Sequence, residues 1–126
     1  MGHPELIPLG FGALVLVTSI LFWWRDRVRR ATVKRFLQNG APLIDVGPPE
    51  EFQKGHTAGS KNIPREAFGT RNGELGPAGQ PVVVCGEGWM TRLLATRDLR
   101  AMGYDVVNAG WTTFSMADAA GRPSPR

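Results

Sequence analysis

The single cysteine of this chain, Cys85, closes an apolar run that starts at Pro81 and passes through Val82, Val83 and Val84. Gly86, Glu87, Gly88, Trp89 and Met90 follow, and from Met90 or Thr91 the apolar spacing becomes helical. Glycines at alternate positions let the backbone curl until successive N–H groups converge, and the helix adds the positive end of its dipole. Such a nest welcomes an anion. The thiol is therefore expected to have a lowered pKa and to act as a nucleophile, as a thiolate or as a persulfide anion. A buried packing role fits the same residue, because free cysteine behaves as a small hydrophobe. Locally, both readings stand.

Two other groups could do acid or base chemistry. Asp45 ends a strand-like run and His56 lies in the turn-rich stretch Lys54 to Gly59. Both settings favour hydrogen bonds to the backbone, so both side chains read as structural. One cysteine excludes an intrachain disulfide and any multi-cysteine metal site, and a free thiol suits a reducing compartment. No metal and no cofactor is called for.

The elements that must position Cys85 alternate between strand and helix. A short amphipathic helix spans about Thr32 to Asn39, stopped by Gly40, and is either separate or a continuation of the segment before it. Pro42 to Val46 reads as a buried strand, Gly47 to Phe52 as the start of a brief helix, and Lys61 to Pro64 as a very short strand. Arg65 to Gln80 is an irregular connection. After Cys85, Thr91, Ala95, Leu99 and Met102 mark a helix closed by Gly103, with Arg92 assigned to its exposed face. Tyr104 to Asn108 is a strand, Trp111 to Ala119 a last helix, and Gly121 to Arg126 a polar tail. This alternation specifies an α/β domain with a mainly parallel sheet, in which ligands bind beyond the carboxyl ends of strands, where Cys85 lies.

Ahead of that domain, no residue from Leu6 to Trp24 is charged. As a helix these 19 residues span roughly 28 Å, close to the thickness of a bilayer core. Trp23 and Trp24 close the stretch, and Arg25, Arg27, Arg29 and Arg30 follow at once. Because Met1 to Glu5 carries no Lys or Arg, the positive-inside rule predicts a single-pass anchor with its N-terminus outside and the domain in the cytoplasm. The alternative, a cleaved signal, normally has a basic start and small residues before its cleavage point. The formal charge of +4 shrinks to +2 beyond residue 30, so the basic cluster is read as meeting anionic lipid and nucleic acid is not an expected partner.

Several stretches now form a recognisable series: Leu43 to Val46 with Glu50, Glu51 and Phe52; Gly55 and His56 with Gly59, Asn62, Ile63 and Pro64; Val82 to Cys85; and Leu99 to Val107. Together they resemble a single-domain rhodanese, a sulfurtransferase. The resemblance covers about Thr32 to Ala119 and divides the chain into an anchor with basic flank (1–30), a rhodanese-like domain (31–120) and a tail (121–126). It implies that Cys85 takes sulfane sulfur from a small donor such as thiosulfate, carries it as a persulfide and passes it to a thiol, cyanide-like or protein acceptor. It also implies an active loop of Cys85, Gly86, Glu87, Gly88, Trp89 and Met90, with Thr91 opening the next helix; Asp45 and Arg92 are candidate supporting residues beside it, Arg92 on condition that its side chain turns back from the exposed helix face toward the loop. Family members often carry basic residues in this loop and an arginine after the Asp-Val pair; here stand Glu87, Trp89 and Met90, and position 47 is glycine. A catalytically weak binding or redox-sensing module is the alternative. A cysteine phosphatase is disfavoured, because its oxyanion-clamping arginine would fall at Thr91.

Overall fold

The computed structural model describes residues 6–110, so the expected helix over 111–119 and the tail lie outside the described residues. Helix α1 (Leu6–Gln38) is continuous over 33 residues. The amphipathic segment after Thr32 thus extends the apolar helix without a break. The hydroxyls of Thr18 and Ser19 donate to the carbonyls of Leu14 and Val15 (2.9 and 2.7 Å), which satisfies them inside an apolar stretch. The helix ends in a Schellman motif: Gly40, at φ +87°, donates to Leu37 O and Ala41 donates to Phe36 O.

The two halves of α1 have different surroundings. Its first part is long and apolar enough to cross a membrane, and the span is uncovered by any other described residue. Leu9, Phe11 and Phe22 are 71%, 68% and 70% exposed. By contrast, Val33 and Leu37 are buried against the sheet.

That sheet has four parallel strands, β1 (Leu43–Asp45), β2 (Lys61–Asn62), β3 (Pro81–Cys85) and β4 (Asp105–Asn108), in the order β2-β1-β3-β4. Both faces are covered, as parallel sheets require. The two-residue period of β3 sends Val82 and Val84 to one face and Val83 and Cys85 to the other. On the first face they meet Ala95 and Leu99 of α3 (Trp89–Ala101) together with Phe68 and Leu75 from the connection before β3. On the second they meet Val33 and Leu37 of α1.

Between β1 and β2 lies the one-and-a-half-turn helix α2 (Pro49–Lys54), with Glu50 and Glu51 in its first turn. The connection from Arg65 to Gln80 is irregular apart from two short 3-10 turns, Arg65–Ala67 and Asn72–Glu74. It is pinned by Tyr104, whose hydroxyl donates to Gly76 O at 2.6 Å, and by ion pairs of Glu74 with Arg71 and Lys61.

Since Leu37 fills the α1 face of the sheet, Leu37→Ala is expected to lower stability by about 2–5 kcal/mol. Chemical denaturation of the full chain in detergent measures this; an unchanged midpoint would mean that α1 does not pack on the sheet.

Candidate active site

Cys85 sits at the carboxyl end of β3, beneath the turn into α3, and is only 4% exposed. Its side chain belongs to the cluster formed by Val33 and Leu37 of α1 with Leu43, Val83 and Ala109. Its register partner on β1 is Asp45, itself buried. The Asp45 carboxylate accepts the Gly47 N–H at 2.9 Å, while its backbone carbonyl accepts the Ile63 N–H and the Asn62 side-chain amide. A Cβ on Gly86 would lie 2.7 Å from the same carboxylate oxygen, so the loop crosses directly over Asp45.

Gly86 and Gly88 adopt φ of +120° and +86°, a region that other residues rarely enter. Gly88 serves as the N-cap of α3, which starts at Trp89, so the loop between strand and helix is Gly86 to Gly88 and shorter than expected. Trp89, Met90 and Thr91 form the first turn of the helix instead. The N–H groups of residues 87 to 91 make no backbone hydrogen bond among the described residues, as the opening of a helix leaves its first donors without intrahelical partners. Glu87, Trp89 and Met90 are exposed around this opening, so Trp89 does not cover the core.

The thiol itself departs from expectation: its pKa is pushed up to about 12, whereas the loop was expected to lower it. Burial is the largest cause and the Asp45 charge the next. The Thr57 hydroxyl, the Arg92 charge and the Ser60 hydroxyl oppose them and are outweighed. The bare Sγ lies on the α1 face, in apolar surroundings, where a thiolate is poorly solvated.

Arg92 is the second correction. It is buried, and its Nη1 donates to Gly86 O at 2.6 Å. The stripe that α3 turns inward is Arg92, Ala95, Thr96 and Leu99, so the arginine belongs to the buried face; Met102 stays 36% exposed. From the helix's first turn its side chain folds back over the loop, as helical side chains lean toward the N-terminus. Its Nε is buried with no partner among the described residues. Burial and the neighbouring Arg29 charge both lower the Arg92 pKa, whereas Cys85 raises it.

Thr57 and Ser60 are the residues that sequence reasoning missed. They sit in the turn before β2, half-buried, with Ser60 Oγ donating to Thr57 O at 2.6 Å. Hydroxyls on a turn leading to a strand beside β1 were the available signal. His56 stays outside: it is exposed, stacked on Phe52 at 3.7 Å, with Nδ1 2.8 Å from Phe52 O. Among the described residues no cluster of acidic, His and Cys side chains could hold a metal ion.

Two outcomes follow from this geometry. Folding raises the thiol's pKa, so stability is undiminished below the ordinary value of 9 and falls as pH rises from there toward about 12. Equilibrium unfolding against pH should show that this share of the loss disappears in Cys85→Ala; superimposable profiles would contradict the raised pKa. Gly86→Ala, facing both the positive φ and the carboxylate contact, should cost about 1–3 kcal/mol, and a variant as stable as the parent would mean that the loop can rearrange.

Comparison with known proteins identifies this architecture. A family model described as a rhodanese-like domain matches residues 30–117. The uncharacterized protein YqhL of Bacillus subtilis (strain 168) is 29% identical over 68 residues, which make up 52% of this chain and 54% of that protein. The match thus spans about half the length of this relative. Among solved structures, the Rhodanese_3 like domain of the Anabaena sp. Alr3790 protein superposes with a TM-score of 0.52 at 23% identity, covering 67% of this chain and 97% of that one. Reduced Bacillus anthracis CoADR-RHD gives a TM-score of 0.53 at 30% identity, over 69% of this chain and 15% of that chain. With the family model covering most of its length and the parallel fold shared, the chain belongs to the rhodanese-like domain family.

Proposed function

We propose that the protein is a membrane-anchored sulfurtransferase that carries sulfane sulfur on Cys85. The observation that carries this reading is the lone cysteine at the end of a central parallel strand, followed by a turn whose amides make no backbone hydrogen bond among the described residues. With thiosulfate as donor, the Cys85 thiol first gives its proton to water. The thiolate attacks the outer sulfur, the bond between the two sulfurs of thiosulfate breaks, and sulfite leaves with the electron pair. A thiolate or cyanide acceptor then attacks the outer sulfur of the Cys85 persulfide, and the Cys85 thiolate leaves and regains a proton. Once added, the outer sulfur extends beyond the desolvated position of Sγ toward the free amides, where preorganised donors stabilise an anion. Arg92 acts on this loop as a positioning residue through its bond to Gly86.

The uncovered apolar part of α1 supports an anchor, since the core helix of a soluble protein would bury those side chains. The arginines after Trp24 support a cytoplasmic position for the domain. A second reading, a weakly catalytic binding or redox-sensing module, is favoured by the high thiol pKa and by the acidic Glu87 at the mouth.

Incubating the full chain with thiosulfate or a polysulfide and measuring intact mass separates the two. The expected result is a gain of one sulfur, absent in Cys85→Ser; an unmodified thiol across several donors would sink the transferase. Replacing the carboxylate at the mouth, Glu87→Arg, should raise turnover with thiosulfate several-fold; equal rates would mean that Glu87 does not influence the donor.

A further inference from the structure

Where α1 leaves its apolar stretch, a cleft of about 370 Å³ opens between the helix and the edge of the sheet. Arg25 and Arg29, one turn apart on α1, line it from one side, and Arg100 of α3 and Asn108 of β4 from the other. Trp24 and Val28 of α1 and Val107 of β4 form its apolar part. Among the described residues no carboxylate lines it. The other arginines of the flank are engaged elsewhere: Arg27 lies over the Trp23 ring at 5.3 Å and Arg30 pairs with Asp26 at 2.9 Å. One Nη of Arg100 donates to Val106 O at 3.1 Å, and a guanidinium carries five N–H donors in all.

We infer that this cleft binds the phosphate of an anionic phospholipid headgroup. Guanidinium groups match phosphate geometry bidentately, and three arginines from two separate elements line this cleft. The lipid, rather than free phosphate, is indicated by the apolar wall of Trp24 and Val28, which runs into the exposed apolar stretch of α1 along which an acyl chain can lie. Tryptophan at the end of the apolar stretch sets the cleft at headgroup level. This site rests on the anchor reading proposed above.

Native mass spectrometry of the full chain, released from micelles holding equal phosphatidylglycerol and phosphatidylcholine, tests it. One phosphatidylglycerol should be retained in preference, and Arg100→Gln should weaken retention about tenfold. Arg27→Gln, on the same flank but outside the cleft, should retain it like the parent. Arg25→Gln provides a second cleft variant should Arg100→Gln fold poorly. Equal retention of both lipids, or equal loss in Arg27→Gln and Arg100→Gln, would overturn the site in favour of diffuse attraction to the flank. Displacement of the lipid by inorganic phosphate, with no preference between lipids, would assign the cleft to free phosphate and also overturn it. Carbonate extraction of membranes reports the anchor separately: a retained chain without lipid preference defeats only the cleft, whereas a released chain defeats the anchor and the cleft with it.

Discussion

Asp45 and Cys85 are register partners on adjacent parallel strands, and the site is organised around that pairing. Two groups that repel when both are ionised are held side by side at the carboxyl ends of β1 and β3. The carboxylate takes the Gly47 amide and leaves no room for a side chain at Gly86, which obliges the loop to turn through a glycine. Moving the thiol pKa from 9 to about 12 disfavours the thiolate by about 4 kcal/mol. Two hydroxyls and a buried guanidinium do not offset that. The fold therefore favours Cys85 as a neutral thiol.

The same pairing explains why α1 matters to the site. Because β3 alternates its side chains, Cys85 must face the opposite way from Val84, and that face is covered by Val33 and Leu37. The helix that carries the apolar stretch is thus also what desolvates the thiol. Arg29, on the same helix, adds charge next to Arg92, so α1 contributes both apolar and electrostatic surroundings to the loop. Neither contribution is visible in the segment around Cys85 alone.

Much of the fold was legible because its signals are local. The valine run before Cys85, the glycines ending α1 and α3, and the prolines and acids opening α2 each mark an element boundary through backbone preferences that act within a few residues. What the sequence reading lost was long-range. The sign of the Cys85 pKa shift depends on a helix some fifty residues earlier and on the β1 to β3 register, neither of which the loop motif encodes. Arg92 was misplaced for a different reason. Its spacing of three, four and seven residues from Ala95, Thr96 and Leu99 marks the buried stripe, but a charged residue there reads as exposed until the Gly86 carbonyl is seen to receive it. Thr57 and Ser60 looked like ordinary turn residues because their nearness to sulfur arises only when β2 docks beside β1.

The unbroken course of α1 has a further consequence for a chain held by its apolar stretch. A flexible linker would let the domain roam through a volume set by linker length, whereas a helix transmits position at a fixed rise per residue. Val33, which packs in the same cluster as Cys85, lies nine residues past Trp24, about 14 Å along the axis. The Cys85 position is then kept at nearly constant height above the bilayer surface. For such a tethered domain, encounters become a search within a thin layer, which favours molecules that are small or that share the membrane over bulky ones arriving from the bulk.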